Sequence, residues 1–382
     1  MTLLVLLQAW PVAGAAQESG DARASLEAQI DGVLGGLDFS ALADMELALP
    51  GQAQSRGVAE TVRALATGEA LSPEDIFAGV LRLFGTQASR LGALMLAVML
   101  PVLLASLVTH TLAADGGAVS ALGRSVCFML VLIPVVLCVL SELTHARETI
   151  TQTTQRMEQM LPMLLTLLTA VGGSASSAFL HPVVVAASGS MVYLAREVIL
   201  RLVMCTCAVT TVNHLSDRAH LTRMAHLLRS AVCWLLGVSF TVFLGAMSMQ
   251  GVCSASIDGV AIRAAKYAVD NFVPVVGGMF SDTMDTLVGC TLIVKNALGV
   301  TAMLILVSVL AAPLVRTLAV VAVLKLSAAL LEPVADADVV RAIGDFSGTV
   351  VLFFITMLCV GTMYFLLIVK LVLVGNLTVM LR

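Results

Sequence analysis

The sequence predicts an all-α, polytopic integral membrane protein, and three observations carry that prediction. Of 382 residues, 59% are hydrophobic and only 12% are charged, too few charges to cover a soluble surface of this size. Uncharged apolar stretches recur along the chain, each near the ~20 residues that one helical crossing needs. Six of the ten prolines (Pro101, Pro134, Pro162, Pro182, Pro274 and Pro313) fall inside such stretches. Lipid offers no water to a freed backbone carbonyl, so helix breaks at membrane depth persist only beside neighbouring helices or a wet cavity. The expectation is about seven transmembrane helices, at least one of them broken or re-entrant, plus a small N-terminal extracytoplasmic helical region.

Residues 1–16 read as a signal peptide. An apolar run, Thr2 to Leu7, precedes Ala13-Gly14-Ala15-Ala16, the small-residue pattern of a cleavage site. No Lys or Arg stands beside Met1, which leaves an uncleaved anchor open. Residues 17–90 are the extracytoplasmic helical region, with eleven acidic residues against five arginines. Leu26, Ile30, Val33 and Leu37 recur at helical spacing, as do Val58, Val62 and Leu65. Ser72-Pro73-Glu74-Asp75 has the form of an N-cap followed by proline at the first helical position.

Residues 91–382 form the transmembrane domain. Candidate crossings are 91–114, 122–141, 160–180, 183–212, 230–250, 272–295, 297–327 and 346–370. The pair 160–180 and 183–212 is separated by very little chain, and Gly172-Gly173-Ser174-Ala175-Ser176-Ser177 suits a re-entrant or unwound segment. Cytoplasmic loops accumulate Lys and Arg. The loop 213–229, with Arg218, Arg223 and Arg229 against Asp217, is therefore expected inside, and the acidic loop 331–345 outside. An exported N-terminus with an internal C-terminus requires an odd number of crossings, and seven results if one segment of 160–212 does not cross.

Ionisable groups in or beside the apolar segments are the functional candidates, since a charge at mid-bilayer costs about 2.5–3.5 kcal/mol or more unless it meets a partner or water. Arg196, Glu197 and Arg201 are candidate intramembrane charges, with Glu197 and Arg201 spaced to pair along one helix. A second candidate, a polar or packing site, comprises Pro274, Gly277, Gly278, Asp282, Asp285 and Lys295. There, proline and paired glycines precede two carboxylates on one helical face. Lys295 lies about 15 Å beyond Asp285 along a straight helix, so it needs a bend or another helix to find a partner. Arg316, Lys325 and Lys370 read as long side chains reaching toward headgroups.

Several classes are excluded. No Walker-type phosphate loop is present, and no basic cluster marks a nucleic-acid surface. His214, His220 and His226 are spaced by six, unlike a helical zinc pair. The eight cysteines all fall in or beside apolar segments, where thiols act as small hydrophobes. The reading is of a protein with no catalytic residues, metal or cofactor.

Taken in order, Leu161-Pro162, Gly172-Gly173, His181-Pro182, Pro274-Val275-Val276-Gly277-Gly278-Met279-Phe280-Ser281-Asp282 and Lys295-Asn296-Ala297-Leu298-Gly299 resemble the stage III sporulation protein AE family of endospore-forming bacteria. That resemblance implies a multi-pass component of the mother-cell membrane facing the forespore, within a channel- or secretion-like complex required for sporulation. It further implies other membrane proteins, ring-forming proteins and a separate ATPase as partners, with membrane lipids around the chain and a homo-oligomer left open. A stand-alone secondary transporter and a passive membrane scaffold are the alternatives.

Overall fold

The computed structural model describes residues 46–47, 56–66, 99–104, 118–170, 174–215, 221–272, 277–333 and 335–380, with isolated positions 32, 92 and 95–96. Two short strands, β1 (Glu46–Leu47) and β2 (Arg56–Gly57), pair antiparallel with Glu46 opposite Gly57. The chain then enters α1 (Val58–Ala66). Val62 on the expected apolar face of α1 is fully buried. The strand pair was not expected. The leader 1–16 and Ser72–Asp75 lie outside the described residues.

Five long passes follow. They are α2 (Ala118–Ala170); α3 (Ser174–Tyr193) continuing through a π-helical turn, π1 (Leu194–Ile199), into α4 (Leu200–Leu215); α5 (Thr222–Phe272); α6 (Gly277–Leu331); and α7 (Ala337–Met380). At a rise of ~1.5 Å per residue, α2, α5 and α6 reach about 75–85 Å. That is more than twice the hydrocarbon core of a bilayer, ~30 Å.

Contacts between passes fix their directions. Near its start α2 meets the start of α7, where Phe128, Val131 and Val135 line an apolar crevice with Val339, Ile343 and Phe346. Near its end, Leu168 lies against Gly375. The two helices therefore run parallel. The hairpin between α6 and α7 makes those two antiparallel, closed by backbone bonds from Ala335 N to Leu331 O and from Val339 N to Asp336 O. Asp338, in the first turn of α7, complements the helix dipole. Asn213 ties the next hairpin, its Oδ1 accepting the Leu221 N–H at 2.8 Å just before α5 begins. The result is an up-and-down bundle in which α7 is buried along its length, touching α2, α4, α5 and α6. Small residues bring α6 and α7 close: Gly299 fits against Val372 and Gly361 against Leu310, with no room for a Cβ. α1 packs against α6.

Among the described residues, five helices are long and apolar enough to cross a membrane, where about seven were expected. The difference has a physical source. The candidate crossings 122–141 and 160–170 are parts of one helix, α2, and 277–295 and 297–327 are parts of α6. Pro134, Pro162, Pro182 and Pro313 all lie within continuous helices. A proline removes one backbone bond and costs about 3 kcal/mol, a penalty that long buried faces offset. The polar stretch after residue 141 stays helical because its inner hydroxyls bond their own helix: Thr153 donates to Thr149 O and Thr154 to Ile150 O, each at 2.8 Å. The stretch 91–114 is described only in part, and Gly172 and Gly173 lie outside the described residues.

Candidate functional site

Polar side chains meet inside the bundle at three heights. The richest is at mid-height, where α2 passes between α6 and π1. Glu142 and His145 stand one turn apart on the face of α2 toward α6. Glu142 is only 1% exposed. Its Oε2 accepts a 2.8 Å hydrogen bond from Thr317 Oγ1, and its Oε1 lies 3.5 Å from Arg316 Nε. Arg316 also reaches His145, with Nη1 3.3 Å from Nδ1. A guanidinium only donates, so Nδ1 is the accepting nitrogen and the imidazole carries its proton elsewhere.

The other side of α2 faces π1. Arg147, about 140° around the helix from Glu142, lies 3.7 Å from Glu197 Oε1. Glu197 also holds Arg201 through its other oxygen. The π turn is what aims this carboxylate: the Leu200 N–H bonds Ala195 O, five residues back, so an extra residue is looped into the turn. Arg196, on the same turn, has its Nε buried without a hydrogen-bond partner among the described residues. The three sequence-identified charges Arg196, Glu197 and Arg201 are thus brought together at the helix irregularity, and Arg147 of another helix joins them.

The second height is near the far end of the bundle. Lys295 is 1% exposed, its Nζ donating to Val372 O at 2.8 Å and lying 3.3 Å from Asn376 Oδ1. Gly375 is the floor beneath the ammonium, and a Cβ there would collide with Nζ. The partner that Lys295 required is therefore α7. Gly277, Gly278, Asp282 and Asp285 lie on the first turns of α6. Their side chains, and Pro274 altogether, are outside the described residues.

The third height is the end where the α4–α5 and α6–α7 hairpins sit side by side. His214 Nε2 is 2.9 Å from Asp345 Oδ2, and Arg229 Nη2 donates to Asp345 O at 3.1 Å. This corrects the expected orientation, which put the basic loop 213–229 and the acidic loop 331–345 on opposite sides. The two are neighbours, and their opposite charges largely cancel. A positive-inside count taken loop by loop fails when the loops pair with each other.

Sequence reading missed Glu142, His145 and Arg147, because 142–159 read as a polar connection between two crossings. It assigned Arg316 to the headgroups. The available signal was the spacing of Glu142, His145, Ala146 and Thr149, a helical face of small and polar residues.

The sequence profile of Stage III sporulation protein AE matches residues 57–375. The chain belongs to the stage III sporulation protein AE family. The Stage III sporulation protein AE of Bacillus subtilis (strain 168) is 31% identical over 264 residues, covering 69% of this chain and 66% of that protein, so the chain spans just under two-thirds of that relative's length. No solved structure matches. The family match runs from β2 to Gly375, the floor of the Lys295 pocket. All of the mid-height polar residues fall inside it, so the belt is built from the part of the chain that defines the stage III sporulation protein AE family.

Proposed function

We propose that this protein is a non-enzymatic membrane subunit of a channel- or secretion-like complex that connects mother cell and forespore during endospore formation. Family membership supports the sporulation role. The observation that carries the subunit reading is the mid-height belt, which threads Thr317 and Arg316, Glu142 and His145, Arg147, Glu197 and Arg201 across three adjacent passes. Buried charge at such depth is expensive and typically serves a pathway for polar species. In this reading the chain resides in the mother-cell membrane and works with other membrane proteins, ring-forming proteins and a separate ATPase.

The test is complementation of a clean deletion strain, scored by heat-resistant spores and by co-purification of partners. The deletion should abolish spores, and Glu142→Gln should restore partner association without restoring spores. Normal sporulation in the deletion strain would sink the proposal. Full rescue by variants that neutralise Glu142, Arg147 and Glu197 together would favour a passive scaffold. Solute uptake into liposomes holding this chain alone would favour a stand-alone transporter.

A further inference from the structure

The outward face of α2 changes character abruptly at Leu140. Before it, the exposed side chains are Met129, Leu130, Ile133 and Leu137, ending with Leu140 itself. After it, from Ser141 to Gln159, every exposed side chain is polar, including Thr144, Arg147, Glu148, Gln152 and Gln155. This polar face is about 27 Å long, close to the ~30 Å hydrocarbon thickness of a bilayer.

Two cross-helix contacts fix its height. Glu142 meets Thr317, and the next residue on α6, Leu318, is 42% exposed. Arg147 meets Glu197, and the next residue on π1, Val198, is 38% exposed. At one level of the bundle, then, α6 and π1 turn apolar side chains outward while α2 turns out amides, hydroxyls and charges. Where lipid contacts Leu318 and Val198, it cannot also contact Arg147 and Glu148 without a large desolvation cost.

We propose that the face of α2 from Ser141 to Gln159 is the wall of a water-filled passage through the membrane, closed opposite by the same face of another copy of this chain. The proposal rests on the channel reading above and deepens it. Like faces tolerate one another here because the charges have both signs: Arg147 lies beside Glu148, with Glu158 further along. Gln152 Nε2 donates to Glu148 Oε1 at 3.2 Å, so the wall has its own lateral hydrogen bonds. A wall of amides with balanced charge selects for hydrated polar solutes without strong preference for either sign of ion.

The experiment uses the full chain in native membranes, with its eight cysteines first replaced by serine or alanine and spore formation verified. Single cysteines are then placed at Gln152, Gln155, Val198 and Leu318. A membrane-impermeant, charged thiol reagent should modify Q152C and Q155C at least about tenfold faster than V198C and L318C, because only a hydrated thiol ionises and reacts. Oxidation should also cross-link Q155C between two differently tagged copies. Equal labelling at all four sites places this level outside the bilayer and overturns the proposal, as does protection of both glutamine positions. Labelling without cross-linking overturns closure by a second copy. Gln152→Trp separates the proposal from the reading beneath it: fast labelling at Q155C together with normal spore yield from Gln152→Trp leaves a wet face but sinks its role in passage.

Discussion

Thr317 on α6 donates its hydroxyl to the carboxylate of Glu142 on α2 across 2.8 Å, in a place from which solvent is excluded. Arg316 approaches the same carboxylate from the neighbouring position. Glu142 is therefore a clasp between two helices 175 residues apart in sequence. Glu142→Leu should destabilise the protein in detergent by about 3 kcal/mol, the lower end for breaking a buried pair, since Arg316 keeps partial access to solvent. Thr317→Val alone should cost about 1 kcal/mol. A double-mutant cycle with Glu142→Gln and Thr317→Val, read by thermal unfolding, should return coupling between the two; additive effects would show that the hydrogen bond contributes nothing.

Lys295 offers the opposite case, a buried ammonium held by a backbone carbonyl and an amide with no carboxylate in contact among the described residues. Replacing an unpaired buried charge with an apolar side chain of similar length relieves desolvation. Lys295→Met should therefore keep or raise thermal stability while lowering spore yield. Clear destabilisation by Lys295→Met would show that the ammonium is there for packing alone.

Gly375 tests the same pocket from its floor. Gly375→Ala places a methyl where the Lys295 ammonium sits, and overpacking of this kind costs about 1–3 kcal/mol. The double variant with Lys295→Met should recover most of that loss. A stable Gly375→Ala single variant would contradict the close approach.

Gly361 makes a similar claim further along the α6–α7 seam. Gly361→Leu should drive into Leu310 and lower stability by about 1–3 kcal/mol. Leu310→Ala should partly rescue it, measured as the melting temperature of the purified protein.

The pairing of Asp345 with His214 and Arg229 fixes a topological outcome. Single cysteines replacing Thr222 and Asp336, one in each hairpin, should react with an impermeant reagent from the same side of the membrane. Reaction from opposite sides would contradict the shared end of the bundle.

Much of this architecture was legible in the chain. The apolar stretches, the family motifs, the apolar face of α1 at Val62 and the importance of Arg196, Glu197 and Arg201 could all be read directly, because each depends on local spacing. Continuity was hidden. Pro134, Pro162 and Pro313 signal breaks locally, and only contacts from distant helices decide that the helix persists. Glu142 and His145 looked like loop residues for the same reason, since their partners lie on α6. The orientation failed because two loops of opposite charge neutralise each other, a relation invisible when each loop is weighed alone.

The π turn at Leu194–Ile199 makes the length of this segment a matter of phase. Deleting a single residue there restores the ordinary helical repeat and swings everything downstream by about 100°. Asn213 and His214 would then face away from Leu221 and Asp345, and the hairpin they fasten would come undone. Chemical identity within the turn is open to substitution; the residue tally between Tyr193 and Leu200 is the quantity that evolution has to hold constant.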